Sequence, residues 1–196
     1  MNKLPNHTAL KEWSSVIDAL GSGAQIILIR KGGIADPMFG LEADRFYLYP
    51  TYFHQGELDP RSTVEITHWC EVARVWTAGD PEPLAAHVVL PRETLEARYR
   101  FRPDQALYVI AVRAWRLARP ATVAYRDEYG GCRSWVSVGE EIDVDGSTPA
   151  LSEAELKSRL HEVDVILRRE DAEGSPADGA NTVPAPRILR RLRGSG

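Results

Sequence analysis

Ala106-Leu107-Tyr108-Val109-Ile110-Ala111-Val112-Arg113-Ala114-Trp115-Arg116-Leu117 is the stretch that decides the fold. Leu107, Val109, Ala111, Arg113, Trp115 and Leu117 share one face of a strand, and Tyr108, Ile110, Val112, Ala114 and Arg116 share the other. Upstream, Pro91 to Tyr99 reads as a short helix with proline in its first turn. Before that lies a second long strand, in which Val64, Ile66, His68, Cys70 and Val72 alternate with Glu65, Thr67, Trp69 and Glu71. Its alternation slips near Ala73, which predicts a bulge. Arg45 to Tyr49 is an aromatic-rich strand stopped by Pro50. Gln25 to Arg30, bounded by glycines, is a short strand covered on both faces.

The chain begins with a helical pattern. Ala9, Leu10, Trp13, Val16, Ile17 and Leu20 recur at helical spacing, Asn6 or Thr8 can cap the start, and Gly21 can end it. Lys11, Glu12, Ser15 and Asp18 then form the polar face. Downstream of the central strand, Thr122–Tyr125 and Arg133–Val138 are short strands around a turn at Tyr129-Gly130-Gly131. Ser152 with Glu155 forms a capping box for a last helix whose apolar stripe is Leu156, Leu160, Val163 and Leu167. Strands and long helices do not alternate regularly, so a doubly wound parallel sheet is disfavoured. The expectation is a single α+β domain over 1–169, with a mainly antiparallel, barrel-like sheet and three helices. From about residue 170 periodicity ends and the composition changes, so 170–196 is expected to be a disordered tail containing proline, glycine and arginine.

Composition narrows the function classes. The 196 residues are 43% hydrophobic and 27% charged, with a net charge of −4, so the chain is not a globally basic nucleic-acid binder. Arginine outnumbers lysine 20 to 4, a ratio that a GC-rich genome explains as well as a ligand does. Two cysteines, Cys70 and Cys132, make neither a disulfide framework nor a four-cysteine metal site. No apolar run has membrane-spanning length and the first ten residues lack a signal-peptide core, which leads to an expectation of a cytoplasmic protein without membrane contact. HExxH, CxxC, GxSxG and GxGxxG are absent. The five histidines are scattered, and His68 reads as a core histidine. The sole E-x-K, Glu155-Leu156-Lys157, sits at a capped helix start, unsuited to a metal nuclease. No cofactor or metal is expected.

Four constellations can carry chemistry. Arg30-Lys31-Gly32-Gly33-Ile34, at a strand end, offers two cations and open backbone N–H groups to an anion; the alternative is a hairpin turn with solvated charges. Tyr49-Pro50-Thr51-Tyr52-Phe53-His54-Gln55 crowds rings, an imidazole and an amide together, fit either to stack a base and read its edge or to pack over the core. Arg113, on an apolar strand face, needs an anionic partner: a carboxylate such as Glu12 or Glu71, or a bound ligand. Tyr129-Gly130-Gly131-Cys132-Arg133-Ser134-Trp135 places a cysteine beside an arginine, which can lower a thiol pKa, although a lone cysteine is more often a small buried hydrophobe.

Together with Ala9-Leu10-Lys11-Glu12-Trp13, these blocks (Leu28 to Ile34, Tyr49 to Gln55, Tyr129 to Trp135) resemble, in order and spacing, a bacterial and archaeal family numbered as domain of unknown function 1802, over about residues 8–168. That resemblance brings no established activity or catalytic residues; it implies only a loose association with restriction–modification systems. In element order the chain also looks like the PUA and ASCH barrels, which implies binding of RNA or modified bases, with amidohydrolases among the ASCH proteins.

The expected function is a nucleic-acid or nucleotide-binding module whose partner is RNA, DNA or a nucleotide. Arg30, Lys31 and Arg113 would anchor the ligand, Tyr52 or Trp135 would stack, His54 and Gln55 would read edges, and Arg133 belongs to the same ligand-binding set. The rival is an enzyme acting on nucleic acid or a modified base, with Lys11, Lys31, His54 and Cys132 as acid–base or nucleophilic candidates. A third reading is a regulatory or scaffold protein working through its tail. Under the first, Arg30 or Lys31, His54 and Arg113 line one cleft, with Glu12 the nearest carboxylate.

Overall fold

The computed structural model describes residues 3–31, 39–51, 62–129 and 133–173. Its elements are β1 (Thr8–Trp13), α1 (Ser14–Gly21), β2 (Ile27–Arg30), β3 (Arg45–Thr51), β4 (Thr63–Ala78), α2 (Arg92–Arg100), β5 (Leu107–Ala124), β6 (Trp135–Ser137), β7 (Thr148–Pro149) and α3 (Glu153–Glu173), with 3-10 turns at Glu82–His87 and Asp127–Tyr129. The seven strands form one sheet in the order β2-β5-β4-β3-β1-β6, with β7 also on β5. Every pairing is antiparallel except β1 with β3. The fold is thus α+β with a mainly antiparallel sheet, as the strand patterns imply.

The first helix is shorter than expected: Thr8 to Trp13 is a strand, and only Ser14 to Gly21 is helical. Ala9 and Leu10 are both fully buried, one in each of two core clusters, because β1 lies between β3 and β6 with both faces covered. A parallel-paired strand covered on both faces loses its alternation and so mimics part of a helical stripe. Pro50 does not stop β3. It lies opposite Glu12 of β1, past the last β3–β4 pair at Tyr47, so its missing N–H costs no ladder bond on that side.

β4 and β5 form the long axis of the sheet. The slip near Ala73 is a register shift between Val72 and Arg74, and a second lies between Ile66 and His68. Opposite that second shift β5 carries Leu117 to Pro120, so the two strands expected at 106–117 and 122–125 are one strand running through an irregularity that accommodates the proline. The odd-numbered face of β5 serves two clusters. Leu107, Val109 and Ala111 pack with Leu156, Val163 and Leu167 of α3; Leu117 and Val123 pack with Tyr47, Tyr49 and Trp69. Ile110, Val112 and Ala114 on the even face pack with Leu10, Phe46, Leu48 and the Val16, Ile17 and Leu20 stripe of α1.

His68 is buried, 2.8 Å from Thr67 Oγ1 through Nδ1. Its ring lies against Gly21, where any Cβ would stand 2.3 Å from Nε2, so only glycine ends α1 here. The capping box forms as expected: Ser152 N–H donates to Glu155 Oε2 at 2.9 Å and Glu155 N–H donates to Ser152 Oγ at 3.3 Å. Helix α3 runs to Glu173, into the segment expected as tail; residues 174–196 lie outside the described residues. Among the described residues no helix is long and apolar enough to cross a membrane.

Candidate nucleic-acid interface

Among the described residues the sheet is not closed by strand pairing. Side chains span the gap between β1 and β2 instead, and they meet on Glu12. This carboxylate is 2% exposed. Arg30, the last residue of β2, donates from Nη2 to Glu12 Oε2 at 2.7 Å and to the Lys11 carbonyl at 2.5 Å. The Trp13 N–H donates to Glu12 Oε1 at 2.9 Å. Arg98 of α2 reaches within 3.9 Å of the same oxygen, donates to the Ile29 carbonyl at 3.1 Å, and lies 5.5 Å from the centre of the Trp13 ring. Burial pushes the Arg30 guanidinium below the usual arginine range; Glu12 opposes that and Arg98 adds to it. An arginine nevertheless keeps its charge. Its Nε is buried with no hydrogen-bond partner among the described residues.

Lys31 follows directly. Its Nζ donates to the Tyr99 carbonyl at 2.6 Å and sits 5.3 Å from the centre of the Tyr99 ring, with no carboxylate partner among the described residues. Lys11 donates from Nζ to the Tyr129 carbonyl at 2.6 Å, and its N–H donates to the Ser134 carbonyl at 2.8 Å. Thr51 stands opposite Trp13 in the β1–β3 register. Arg30, Thr51, Tyr129 and Ser134, which flank three of the sequence blocks singled out above, therefore all meet the C-terminal half of β1. Within those blocks, Gly32, Gly33, Ile34, Tyr52, Phe53, His54, Gln55, Gly130, Gly131 and Cys132 lie outside the described residues.

Two expected site residues sit elsewhere. Arg113 does not share a cleft with Arg30. Arg30 stands opposite Tyr108, and Arg113 is five residues further along β5, roughly 16 Å away at the rise of a strand. Glu71 faces Arg113 in register but is bound by Arg45 at 2.7 Å. The Arg113 guanidinium rests instead on the Trp115 ring, 4.6 Å from its centre, and Trp115 stacks on Trp69 at 5.2 Å. Trp135 is not an open stacking platform: it is 9% exposed, donates from Nε1 to the Gly40 carbonyl at 2.7 Å, and meets Phe39 and Phe46. Arg133 is exposed. Glu12 is near the cations, as expected, but from a strand interior rather than a helix face.

The sequence reading missed Arg98. The signal was present: Arg98-Tyr99-Arg100-Phe101-Arg102 alternates cations with aromatics across the end of a helix.

Comparison with known proteins adds a family. The model described as Domain of unknown function (DUF1802) matches residues 9–162. No curated protein matches the chain. Among solved structures, ASCH from Zymomonas mobilis aligns at 12% identity over 79% of this chain and 93% of that one, with a TM-score of 0.45. Two single-residue mutants of that protein align at 13% identity over 80% of this chain and 96% and 94% of theirs, with TM-scores of 0.44 and 0.38. The ASCH likeness seen in the element order is met here, at values that carry nothing about function across.

Proposed function

The chain belongs to the family Domain of unknown function (DUF1802), and we propose that it is a nucleic-acid or nucleotide-binding module that holds phosphate at Arg30, Lys31 and Arg98. One observation carries the reading: Arg30 and Arg98 share a single buried carboxylate, Glu12, and Lys31, next to Arg30 in the chain, binds the Tyr99 carbonyl, next to Arg98. Like charges repel by roughly 1 kcal/mol at contact even in water, and by more where water is scarce. A cluster left with surplus positive charge is therefore complementary to an anion. The cations are also held in place. Arg30 and Arg98 are each tied to a backbone carbonyl of β1 or β2, so little side-chain freedom is lost when a phosphate arrives. The association with restriction–modification that the family resemblance implies belongs to this reading, as the setting in which such binding would be used.

The test is the salt dependence of oligonucleotide binding. Wild-type protein should bind labelled oligonucleotides at low salt, with affinity falling linearly on a log–log scale. Lys31→Gln should lower that slope by about 0.7–0.9, the share of one phosphate contact. No detectable binding to RNA, DNA or nucleotides at low salt defeats the proposal.

A further inference from the structure

Next to this cluster, α2 ends in Arg98-Tyr99-Arg100 and continues into Phe101-Arg102. Tyr99 is 38% and Phe101 40% exposed, which sets them apart from the aromatic rings packed in the core. Cations in the last turn of a helix have an ordinary explanation, since they face the negative end of the helix dipole. Arg100 has a further one in Glu96, one turn back at 2.9 Å. Neither explains two neighbouring rings left facing water. Two large rings exposed two residues apart, each with a cation over it, suit a binding surface.

The strip is also built firmly. Lys31 bonds the Tyr99 carbonyl and lies over its ring. Arg98 fixes the helix end to Ile29 and Glu12 from beneath. The Phe101 N–H donates to the Ala97 carbonyl at 3.0 Å. Arg102 then takes a left-handed backbone, φ 50°, closed by a bond from the Gln105 N–H to its carbonyl at 2.9 Å, and its guanidinium lies 5.1 Å from the Phe101 ring centre. A bulky residue at positive φ is uncommon and costs energy. Here it accompanies a turn that keeps cation and ring together.

We propose that this strip is a docking site for single-stranded nucleic acid, with bases stacked on Tyr99 and Phe101 and phosphates along Lys31, Arg100 and Arg102. The inference rests on the phosphate-binding reading above and narrows its ligand class. Rings interleaved with cations match a polyanion whose planar groups are free to stack, and only unpaired bases are free in that way. A duplex offers its phosphates but keeps its base faces covered. An acidic peptide offers charge without planar faces.

The experiment measures fluorescence anisotropy of labelled oligo(dT), oligo(U) and a duplex of equal length against the full chain. The variants are Tyr99→Ala/Phe101→Ala, Tyr99→Phe and Arg100→Gln, each checked by thermal melting. Both single strands should bind more tightly than the duplex, and the stronger of them tells whether DNA or RNA is preferred. Loss of both rings should weaken single-strand binding by on the order of tenfold to a hundredfold with the salt slope unchanged. Tyr99→Phe should bind like wild type, and Arg100→Gln should reduce the salt slope by about 0.7. If the double variant melts early, Phe101→Ser, a change outside the helix, is judged by the same criterion. Unchanged affinity without the rings, preference for the duplex, or equal displacement by poly-glutamate would overturn the inference while leaving the phosphate site standing. Failure of wild type to bind any oligonucleotide would remove both.

Discussion

A carboxylate buried as deeply as Glu12 survives only while its cations stay beside it. Glu12→Gln keeps the shape but leaves Arg30 and Arg98 facing no negative charge, and breaking a buried pair from one side costs about 3–5 kcal/mol. Urea unfolding should show that loss, and Glu12→Leu/Arg30→Leu should recover much of it, because the one cation then left without a carboxylate, Arg98, is partly exposed and keeps its bond to the Ile29 carbonyl. His68 gives a second prediction. Burial chiefly lowers its pKa, Arg116 lowers it further and Asp18 opposes them. The unfolded chain then takes up a proton from about pH 6.5 downward while the folded chain still resists. Stability contributed by the neutral ring is complete above that value and is lost as pH falls towards the folded pKa. His68→Gln should flatten the drop in melting temperature between pH 7.5 and pH 5.5; an equal drop in both proteins would refute the assignment. At this scale the sequence marked Arg30 as a candidate cation and Glu12 as the carboxylate expected nearest to it. It could not show that Glu12 meets Arg30 and not Arg113, because that depends on which strands the curled sheet brings together.

Elements were legible where one periodicity stood alone. The alternation over Leu107–Leu117 fits only a strand, and its failure at Ala73 marks a shift in register because every later side chain changes face. Thr8–Trp13 was misread because a strand buried on both faces and a helical stripe share the same apolar spacing over six residues. β7, two residues long, carries no pattern of its own. The start of α3 was plain, since a capping box is a local device. Ser152→Ala should remove the hydroxyl that accepts from Glu155 N–H and cost about 1 kcal/mol. Ser152→Asp, which retains an acceptor, should cost less. Chemical denaturation of the two variants checks the difference, and equal loss would mean that the cap contributes nothing.

For the whole molecule, the question is whether the core or the last residues hold the ligand. Arg187, Arg190, Arg191 and Arg193 form the most basic run in the sequence, and a tail-borne function would rest on them. The cations proposed here all lie between Arg30 and Arg102. A chain ended after Glu173 should therefore keep full affinity for oligo(dT); a marked fall in anisotropy titration would move the function to the tail.

The placement of β1 between β3 and β6 also sets a timetable. Thr8 to Leu10 leave the ribosome more than a hundred residues before their partners Trp135 to Ser137. At typical rates of synthesis the wait is roughly 6–25 s. During that time one edge of β1, with its apolar side chains, has no strand to meet. Such an open edge invites pairing with another chain. That edge of β1 is completed only when β6 has been made, and until then the nascent chain carries an open strand edge.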